Sequence, residues 1–331
     1  MLRFILMLSL VPWLCQCQTP ASSIAENAPR TSTPENFRVA YVGDLGTSDD
    51  THKVLQMIKN EGSQLFVILG DFDYRDDPAY FETMLHDNLG ELPILAVGGN
   101  HDVRKWDGYK EMLAKRLQNM PDAHCVGEIG IKMRCEYQGL VFVLSGVGTF
   151  GSFHESFLSR SLQEKPANFK ICAWHKNQSA MQAGNKKDET GWEVYEICRR
   201  EGAMIATAHE HSYSRTHLLS SFPDQTVVSE SNELVLDHGQ SFAFVSGLGG
   251  KSIRGQKKVG WINRAASSLN NDKVATLSEP WWAKIYTEDQ KANHSALFCD
   301  YHVDKDPRKA RCFLKNIGGE IIDSFTIVSK I

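Results

Sequence analysis

The 331-residue sequence has little excess charge, and it lacks a run of apolar residues long enough to span a membrane. Its 36 basic and 40 acidic side chains leave a formal net charge of −4, which excludes a nucleic-acid binder that relies on a basic excess. The apolar stretch from Phe4 to Leu14 is shorter than the roughly 18–20 residues that cross a bilayer, and no second long run follows. Because 42% of the residues are hydrophobic, an acidic disordered chain is excluded as well.

The N-terminal segment is typical of export. A basic residue, Arg3, precedes the apolar run, and the small residues Cys15 and Cys17 follow it, as in a secretory signal peptide. A buried N-terminal helix is the alternative. We expect residues 1–17 to be a signal peptide, 18–36 a Ser/Thr/Pro-rich linker and 37–331 the folded domain. The destination would be extracellular, lysosomal, vacuolar or periplasmic.

The sequence also lacks the Cys-x-x-Cys spacing of zinc clusters, although six cysteines follow residue 17. An even number of cysteines in an exported chain favours disulfides. Six cysteines allow fifteen pairings, and we expect neighbours along the chain to pair, which gives Cys125–Cys135, Cys172–Cys198 and Cys299–Cys312. Two Asn-x-Ser triplets, at Asn177 and Asn293, predict N-glycosylation in a eukaryotic host.

Hydrophobic patterning predicts alternating strands and helices up to about residue 120, with strands at 38–42, 64–69 and 93–97. Farther on, we expect a hairpin of 128–136 with 140–145 and a helix at 189–200 between strands at 169–174 and 203–208. After residue 241 the pattern favours strands with little helix. Strand–helix repetition with short connections predicts an α/β layered fold in one domain.

Polar residues follow five of these predicted strands. Asp44, Asp71, Asn100 with His101, His175, and His209 with His211 stand at the strand ends. Ligands of open α/β sheets bind beyond the carboxyl ends of the strands, so we expect these side chains to converge. A single Asp after a strand is more often a helix cap or turn residue. Five such positions together predict a binding site.

The donor types in this set indicate a metal site. Carboxylate, amide and imidazole ligands suit zinc, manganese or iron, and they suit calcium and copper(I) poorly. One tetrahedral ion needs fewer ligands than the set offers. Two ions about 3.5–4 Å apart that share a carboxylate would use the whole set.

The series Gly43-Asp44, Gly70-Asp71, Gly99-Asn100-His101-Asp102, His175 and His209-x-His211 resembles the calcineurin-like metallophosphoesterases. Within that superfamily it is similar to the purple acid phosphatases. Two positions carry this narrower similarity. Gly46 stands where most members of the superfamily have a histidine ligand, and Tyr74, three residues after Asp71, stands where the purple acid phosphatases have a tyrosine in its place. Ala208 departs from the usual glycine, and the stretch 176–179 departs from the usual pattern at the substrate rim.

The resemblance implies a four-layer α-β-β-α sandwich of two mixed sheets flanked by helices, with two metal ions. One ion, Fe(III), would take Asp44, Asp71, Tyr74 and His211. The other, Fe(II), Zn or Mn, would share Asp71 and take Asn100, His175 and His209. A tyrosine that serves only as a turn residue, with Asp73 as a spare ligand, is the alternative for Tyr74.

The implied activity is a secreted acid phosphatase that hydrolyses small phosphate monoesters through metal-bound hydroxide. His101 would be the general acid, with Asp102 orienting its ring. A hydrogen-bonding role behind the ligands is the alternative for His101.

The glycine-rich stretch 247–255, with Lys251 and Arg254, is predicted to be a loop at the rim of the site. The rival functions are a phosphodiesterase or nucleotide pyrophosphatase, and a secreted metal-binding protein without activity.

Overall fold

The computed structural model describes residues 34–257 and 279–331, and within them the chain forms 17 strands and five α-helices. The helices are α1 (Asp49–Asn60), α2 (Pro78–Leu89), α3 (Trp106–Gln118), α4 (His154–Gln163) and α5 (Glu193–Arg200). The strands are β1 (Phe37–Val42), β2 (Leu65–Ile68), β3 (Ile94–Ala96), β4 (His124–Glu128), β5 (Lys132–Tyr137), β6 (Leu140–Ser145), β7 (Phe169–Ala173), β8 (Met204–Thr207), β9 (Tyr213–Thr216), β10 (Leu218–Ser221), β11 (Thr226–Ser229), β12 (Glu233–Leu236), β13 (Ala243–Ser246), β14 (Trp282–Tyr286), β15 (Ser295–Tyr301), β16 (Lys309–Asn316) and β17 (Ile321–Ser329).

Two large mixed sheets form the centre of the fold. One has the strand order β12-β17-β16-β15-β1-β2-β3, and the other has the order β14-β9-β13-β8-β7-β6-β5-β4. Strands β1, β2 and β3 run parallel in the first sheet, as β6, β7 and β8 do in the second. A short hairpin, β10-β11, stands apart from both sheets.

Side chains alternate between the two faces of each strand, and the alternation generates the layers. In β1, Tyr41 packs into the cluster between the sheets, whereas Val42 packs with α1, α2 and α3 on the outer face. In β6, Phe142 faces the cluster between the sheets and Val143 packs with α4 and α5. The predicted α/β fold and its α-β-β-α sandwich are therefore confirmed.

Some predicted elements have different bounds in the structure. The predicted strand 128–136 covers only the last residue of β4, a turn at Gly130 with φ +67° and most of β5, which runs antiparallel to β4. The predicted helix 189–200 begins only at Glu193, which leaves Glu189 in a loop. Helix α4 was not predicted, and it covers the outer face of β6.

All three predicted disulfides are confirmed. Cys125–Cys135 joins β4 to β5, Cys299–Cys312 joins β15 to β16, and Cys172–Cys198 joins β7 to α5. The predicted signal peptide, with Cys15 and Cys17, lies outside the described residues, as does most of the predicted linker. Within residues 34–257 and 279–331, none of the helices is long and apolar enough to cross a membrane.

The glycosylation prediction is wrong at Asn177. Its side chain has no exposed surface, and its Nδ2 donates a hydrogen bond to Thr207 Oγ1 at 2.8 Å. A glycan is bulky and must project into solvent, so this buried asparagine has no room for one. Asn293 is half-buried, and its glycosylation stays a prediction.

A buried ion pair ties the two sheets together. Arg215 of β9 donates to both carboxylate oxygens of Asp323 in β17, at 2.7 and 3.0 Å, and Tyr213 donates to the same carboxylate at 2.8 Å. Burial alone would raise the pKa of Asp323, but the Arg215 contacts outweigh it and lower the pKa. The guanidinium also lies 4.2 Å from the centre of the Phe325 ring.

The first prediction concerns this ion pair. Asp323→Ala leaves a buried guanidinium without its partner, so it should lower the free energy of unfolding by about 3–5 kcal/mol. The double variant Arg215→Met, Asp323→Leu should recover a large part of this loss because neither charge remains buried. Urea unfolding with intact disulfides measures both effects. The control, Glu111→Ala, breaks an exposed pair with Lys115 in α3 and should scarcely move the midpoint. An Asp323→Ala midpoint equal to that of the control would contradict the assignment.

Candidate metal centre

The turns after β1, β2, β3, β7 and β8 meet at one edge of the two sheets, as the sequence predicts. Asp44, Asp71, His175 and His209 are buried there, and three of them have left-handed backbones, with φ of 57° at Asp44, 55° at Asp71 and 66° at His209. Tyr74 shares this conformation, with φ 58°. Non-glycine residues seldom adopt positive φ, and their concentration in one place is typical of a functional site.

One group of side chains surrounds the Tyr74 hydroxyl. This hydroxyl donates to Asp44 Oδ1 at 2.9 Å and lies 3.2 Å from His211 Nε2. His211 Nε2 is 3.3 Å from the same Asp44 oxygen. Ser252 Oγ contacts His211 Nδ1 at 2.5 Å, so the opposite ring nitrogen faces the group.

A second group surrounds His175. Its Nε2 lies 3.2 Å from Asp71 Oδ1 and 3.1 Å from His209 Nδ1. Its Nδ1 lies 2.8 Å from the Leu69 carbonyl oxygen, to which it donates when Nε2 serves as a ligand. Ligand atoms of Asp71, His175 and His209 all lie within 4.8 Å of one another. Backbone and carboxylate partners of this kind orient imidazole ligands towards a metal.

Asn100 lies in the turn after β3, between Gly99 and His101, whose backbones approach Asp71. The Asn100 Oδ1 is buried and has no hydrogen-bond partner among the described residues, which is costly unless a cation accepts the lone pair. The preceding residue must be glycine, because a Cβ at Gly99 would lie 2.2 Å from both the backbone nitrogen and Oδ1 of Asp71. An orphaned amide oxygen beside buried carboxylates and imidazoles fits a site for metal ions.

The electrostatics of the second group also favour a cation. Burial disfavours charge on both Asp71 and His175, but their mutual attraction outweighs it, lowering the pKa of Asp71 and raising that of His175 to about 9. Burial, followed by the neighbouring His175, lowers the pKa of His209 to about 2. Without a metal, the group therefore holds a proton on His175 at neutral pH.

Comparison with known families and structures decides the family. A family model for the calcineurin-like phosphoesterases matches residues 37–213, which is more than half of the chain and includes every candidate ligand. The chain belongs to the calcineurin-like phosphoesterase family. Among curated proteins, no sequence matches significantly.

Solved structures with a similar fold include three neighbours. Purple acid phosphatase PPD1 from yellow lupin (Lupinus luteus) is 13% identical with a TM-score of 0.61, over 88% of this chain and 53% of its own. GAP50, described as the anchor in the inner membrane complex of Plasmodium, is 14% identical with a TM-score of 0.54, over 89% of both chains. PhoD is 10% identical with a TM-score of 0.54, over 88% of this chain and 70% of its own. The chain spans about half the length of the lupin protein, and at these identities the likeness shows the fold alone.

The structure corrects the role predicted for Asp102. Both oxygens of the buried carboxylate accept backbone hydrogen bonds, from Asp71 at 3.0 Å, Phe72 at 2.8 Å and Gly99 at 2.7 Å. The carboxylate is thus engaged by amides and makes no hydrogen bond to the His101 ring. Asp102 holds the turns after β2 and β3 together, which places Asp71 and Asn100.

Asp73 is also engaged elsewhere, which removes the alternative of a spare ligand. Its Oδ1 accepts from the Tyr109 hydroxyl at 2.6 Å and from the Arg75 amide at 2.9 Å, and its Oδ2 accepts from the Asp77 amide at 3.0 Å. These bonds close the turn that carries Tyr74.

His101, by contrast, is exposed at the mouth of the centre. Its amide donates to Asp71 Oδ1 at 2.9 Å, and its ring centre lies 4.5 Å from that of Tyr74.

Sequence reasoning missed two residues that contact the candidate ligands. Glu189 Oε2 lies 2.8 Å from His209 Nε2, while its Oε1 accepts from Lys176 at 2.7 Å. The helix predicted across Glu189 hid this contact, and no spacing in the sequence marks it. Ser252 lies in the glycine-rich loop that the sequence predicts at the rim of the site. The structure confirms that position, because the Lys251 amide donates a hydrogen bond to the Asp44 carbonyl oxygen at 3.1 Å.

The second prediction uses the proton on His175. Because an imidazole must be neutral to bind a metal, zinc binding at pH 7 should release at least one proton per chain, the proton of His175. Affinity should rise by about tenfold per pH unit up to about pH 9 and level off above it, because His175 is increasingly deprotonated there before the metal binds. Isothermal titration calorimetry in buffers of different ionisation enthalpy counts the protons. Zinc binding at pH 7 with no net proton release would contradict the assignment.

Proposed function

We propose that the chain is a dinuclear-metal phosphatase that hydrolyses small phosphate monoesters. The observation that carries the proposal is the position of Asp71, whose carboxyl group interacts with the Tyr74 hydroxyl and lies 3.2 Å from His175 Nε2. A carboxylate between two groups of ligands suits a shared ligand of two ions. The family assignment and the lupin neighbour support the same reaction class.

The two groups divide naturally into two sets of ligands. Asp44, Asp71, Tyr74 and His211 would hold the first ion, and Asp71, Asn100, His175 and His209 would hold the second. When bound, a metal pair supplies a water nucleophile with a lowered pKa and positive charge for the phosphoryl oxygens. The protein supplies orientation, since Ser252, Leu69 and Glu189 lie against the outer nitrogens of the three histidines.

His101 is proposed as the general acid. It is the exposed member of the series, and its backbone is anchored on Asp71 while its ring stands against Tyr74. From that position the imidazolium can give its proton to the leaving oxygen of a bound ester. Asp102 contributes indirectly, because it holds the backbone from which His101 projects.

We further propose that the chain is exported, with residues 1–17 as signal peptide and 18–36 as linker before a domain of 37–331. The three disulfides support an oxidising destination.

Small phosphorylated compounds are the proposed substrates. A polar pocket of about 450 Å³ opens beside the centre and offers room for their organic part; it is lined by Asn185, Lys186, Glu210, Arg254, Gly255, Gln256 and Glu288.

The alternative functions lead to different measurements. A phosphodiesterase or nucleotide pyrophosphatase would use the same centre, and a comparison of mono- and bis-(p-nitrophenyl) phosphate distinguishes it. An inactive metal-binding protein is the alternative from another class, and the Plasmodium neighbour is described as an anchor. Metal bound without hydrolysis of either ester would favour that alternative.

The third prediction identifies the first ion. A phenolate is a hard anionic ligand that suits Fe(III), and the other ion would be Fe(II), Zn or Mn. Concentrated protein should therefore be violet through charge transfer from Tyr74, and Tyr74→Phe should lose the colour. Visible spectroscopy measures it, with Tyr80→Phe as the control because Tyr80 is partly exposed outside the ligand groups. A colourless wild type fully active with zinc or manganese alone would refute iron.

The fourth prediction tests the acid. His101→Ala should lower kcat for an alkyl phosphate by about 10²- to 10⁴-fold. The loss should be smaller for p-nitrophenyl phosphate, whose leaving group needs little protonation. His124→Asn, a change at an exposed histidine of β4, is the control. An unchanged kcat for the alkyl ester in His101→Ala would exclude the assignment.

A further inference from the structure

The loop after β13 places an exposed lysine over the metal centre. The Lys251 ammonium lies 4.6 Å from the centre of the Tyr74 ring. Its aliphatic stem passes Gly46, where a Cβ would lie 3.5 Å from Lys251 Cδ. The lysine therefore approaches the group formed by Asp44, Tyr74 and His211 from the solvent side.

The backbone holds this lysine in place. Its amide donates to the Asp44 carbonyl at 3.1 Å, and the carbonyl of the preceding Gly250 accepts from Ser48 Oγ at 2.8 Å. Gly250 has φ +136°, and a Cβ there would lie 2.2 Å from Thr51 Oγ1. Only glycine allows the loop to lie this close to the start of α1, so the position of Lys251 follows from packing against rigid elements.

The Lys251 ammonium has no acidic partner within 4.0 Å among residues 34–257 and 279–331. Other cations near the centre do: Lys176 pairs with Glu189 at 2.7 Å, and Arg254 faces Glu210 at 3.5 Å. A cation over an exposed aromatic ring gains only about 0.5–1 kcal/mol, and the contact leaves its three N–H donors free. The loop thus presents an uncompensated positive charge beside the proposed ligands.

We propose that the Lys251 ammonium binds a non-bridging oxygen of the substrate's phosphoryl group, and of the phosphate ion that hydrolysis releases. The inference rests on the proposed phosphatase function. A phosphate monoester is dianionic, and a lysine meets phosphate as a point charge with rotatable donors. Tyr74 is the common neighbour of Lys251 and of His101, so both residues lie beside a proposed ligand of the first ion.

The test compares phosphate binding in matched variants at equal metal content. Lys251→Gln should raise KM for p-nitrophenyl phosphate and the inhibition constant of inorganic phosphate by about tenfold each, as for one lost charge-assisted hydrogen bond. The effect on kcat should be smaller. Lys251→Arg should restore most of the affinity because it keeps the charge. Lys59→Gln, a change at an exposed lysine in the last turn of α1, should leave both constants unchanged.

Unchanged phosphate inhibition in Lys251→Gln would overturn the inference, even if kcat fell. A displaced visible band together with that result would show that the lysine acts only through Tyr74. Calorimetry with inorganic phosphate and metal-loaded protein separates this inference from the proposed function. A wild type that hydrolyses no monoester would refute the phosphatase, whereas Lys251-dependent phosphate binding would still support the lysine's role.

Discussion

Buried carboxyl groups after β1, β2 and β3 are the constraint on which the site depends. Asp44, Asp71 and Asp102 have almost no exposed surface, and a buried carboxylate is costly unless it is paired and hydrogen-bonded. Backbone amides satisfy Asp102, whereas Asp71 relies on His175 and Asp44 on Tyr74 and the His209 amide. Bound cations would neutralise the remaining charge of these carboxylates. This explains why carboxylates and imidazoles are gathered in a region with so little solvent.

The fold meets this constraint by joining two sheets. The acidic turns belong to the sheet of β1, β2 and β3, while the histidines follow β7 and β8 of the other sheet. His211 lies two residues before Tyr213, the first residue of β9. Tyr213 and Arg215 both bind Asp323 of the other sheet. The ion pair between the sheets thus also anchors the segment that carries two proposed ligands. Stability and the geometry of the site are coupled through β9.

Local signals in the sequence were sufficient for much of this description. Hydrophobic runs that end in Asp44, Asp71 and His175 predict both the strands and the convergence of their ends, because parallel strands place their carboxyl ends at one edge. Pairing of neighbouring cysteines was correct where strands lie side by side, as for Cys125 and Cys135. Local signals did not reveal the roles of Asp102, Asp73 and Glu189. Their partners are backbone amides or side chains from other turns, so their roles depend on how the loops meet. Asn177 failed for the same reason, since a triplet carries no information on burial.

Metal stoichiometry is the most direct test of the central claim that Asp71 is shared by two ions. Elemental analysis of purified wild type should find two metal ions per chain, and the same preparation should hydrolyse a phosphate monoester. Asp71→Ala removes the shared ligand and should reduce both metal content and activity, while circular dichroism reports whether the fold remains. A single ion per chain in the fully active wild type, or two ions retained by Asp71→Ala, would contradict the account.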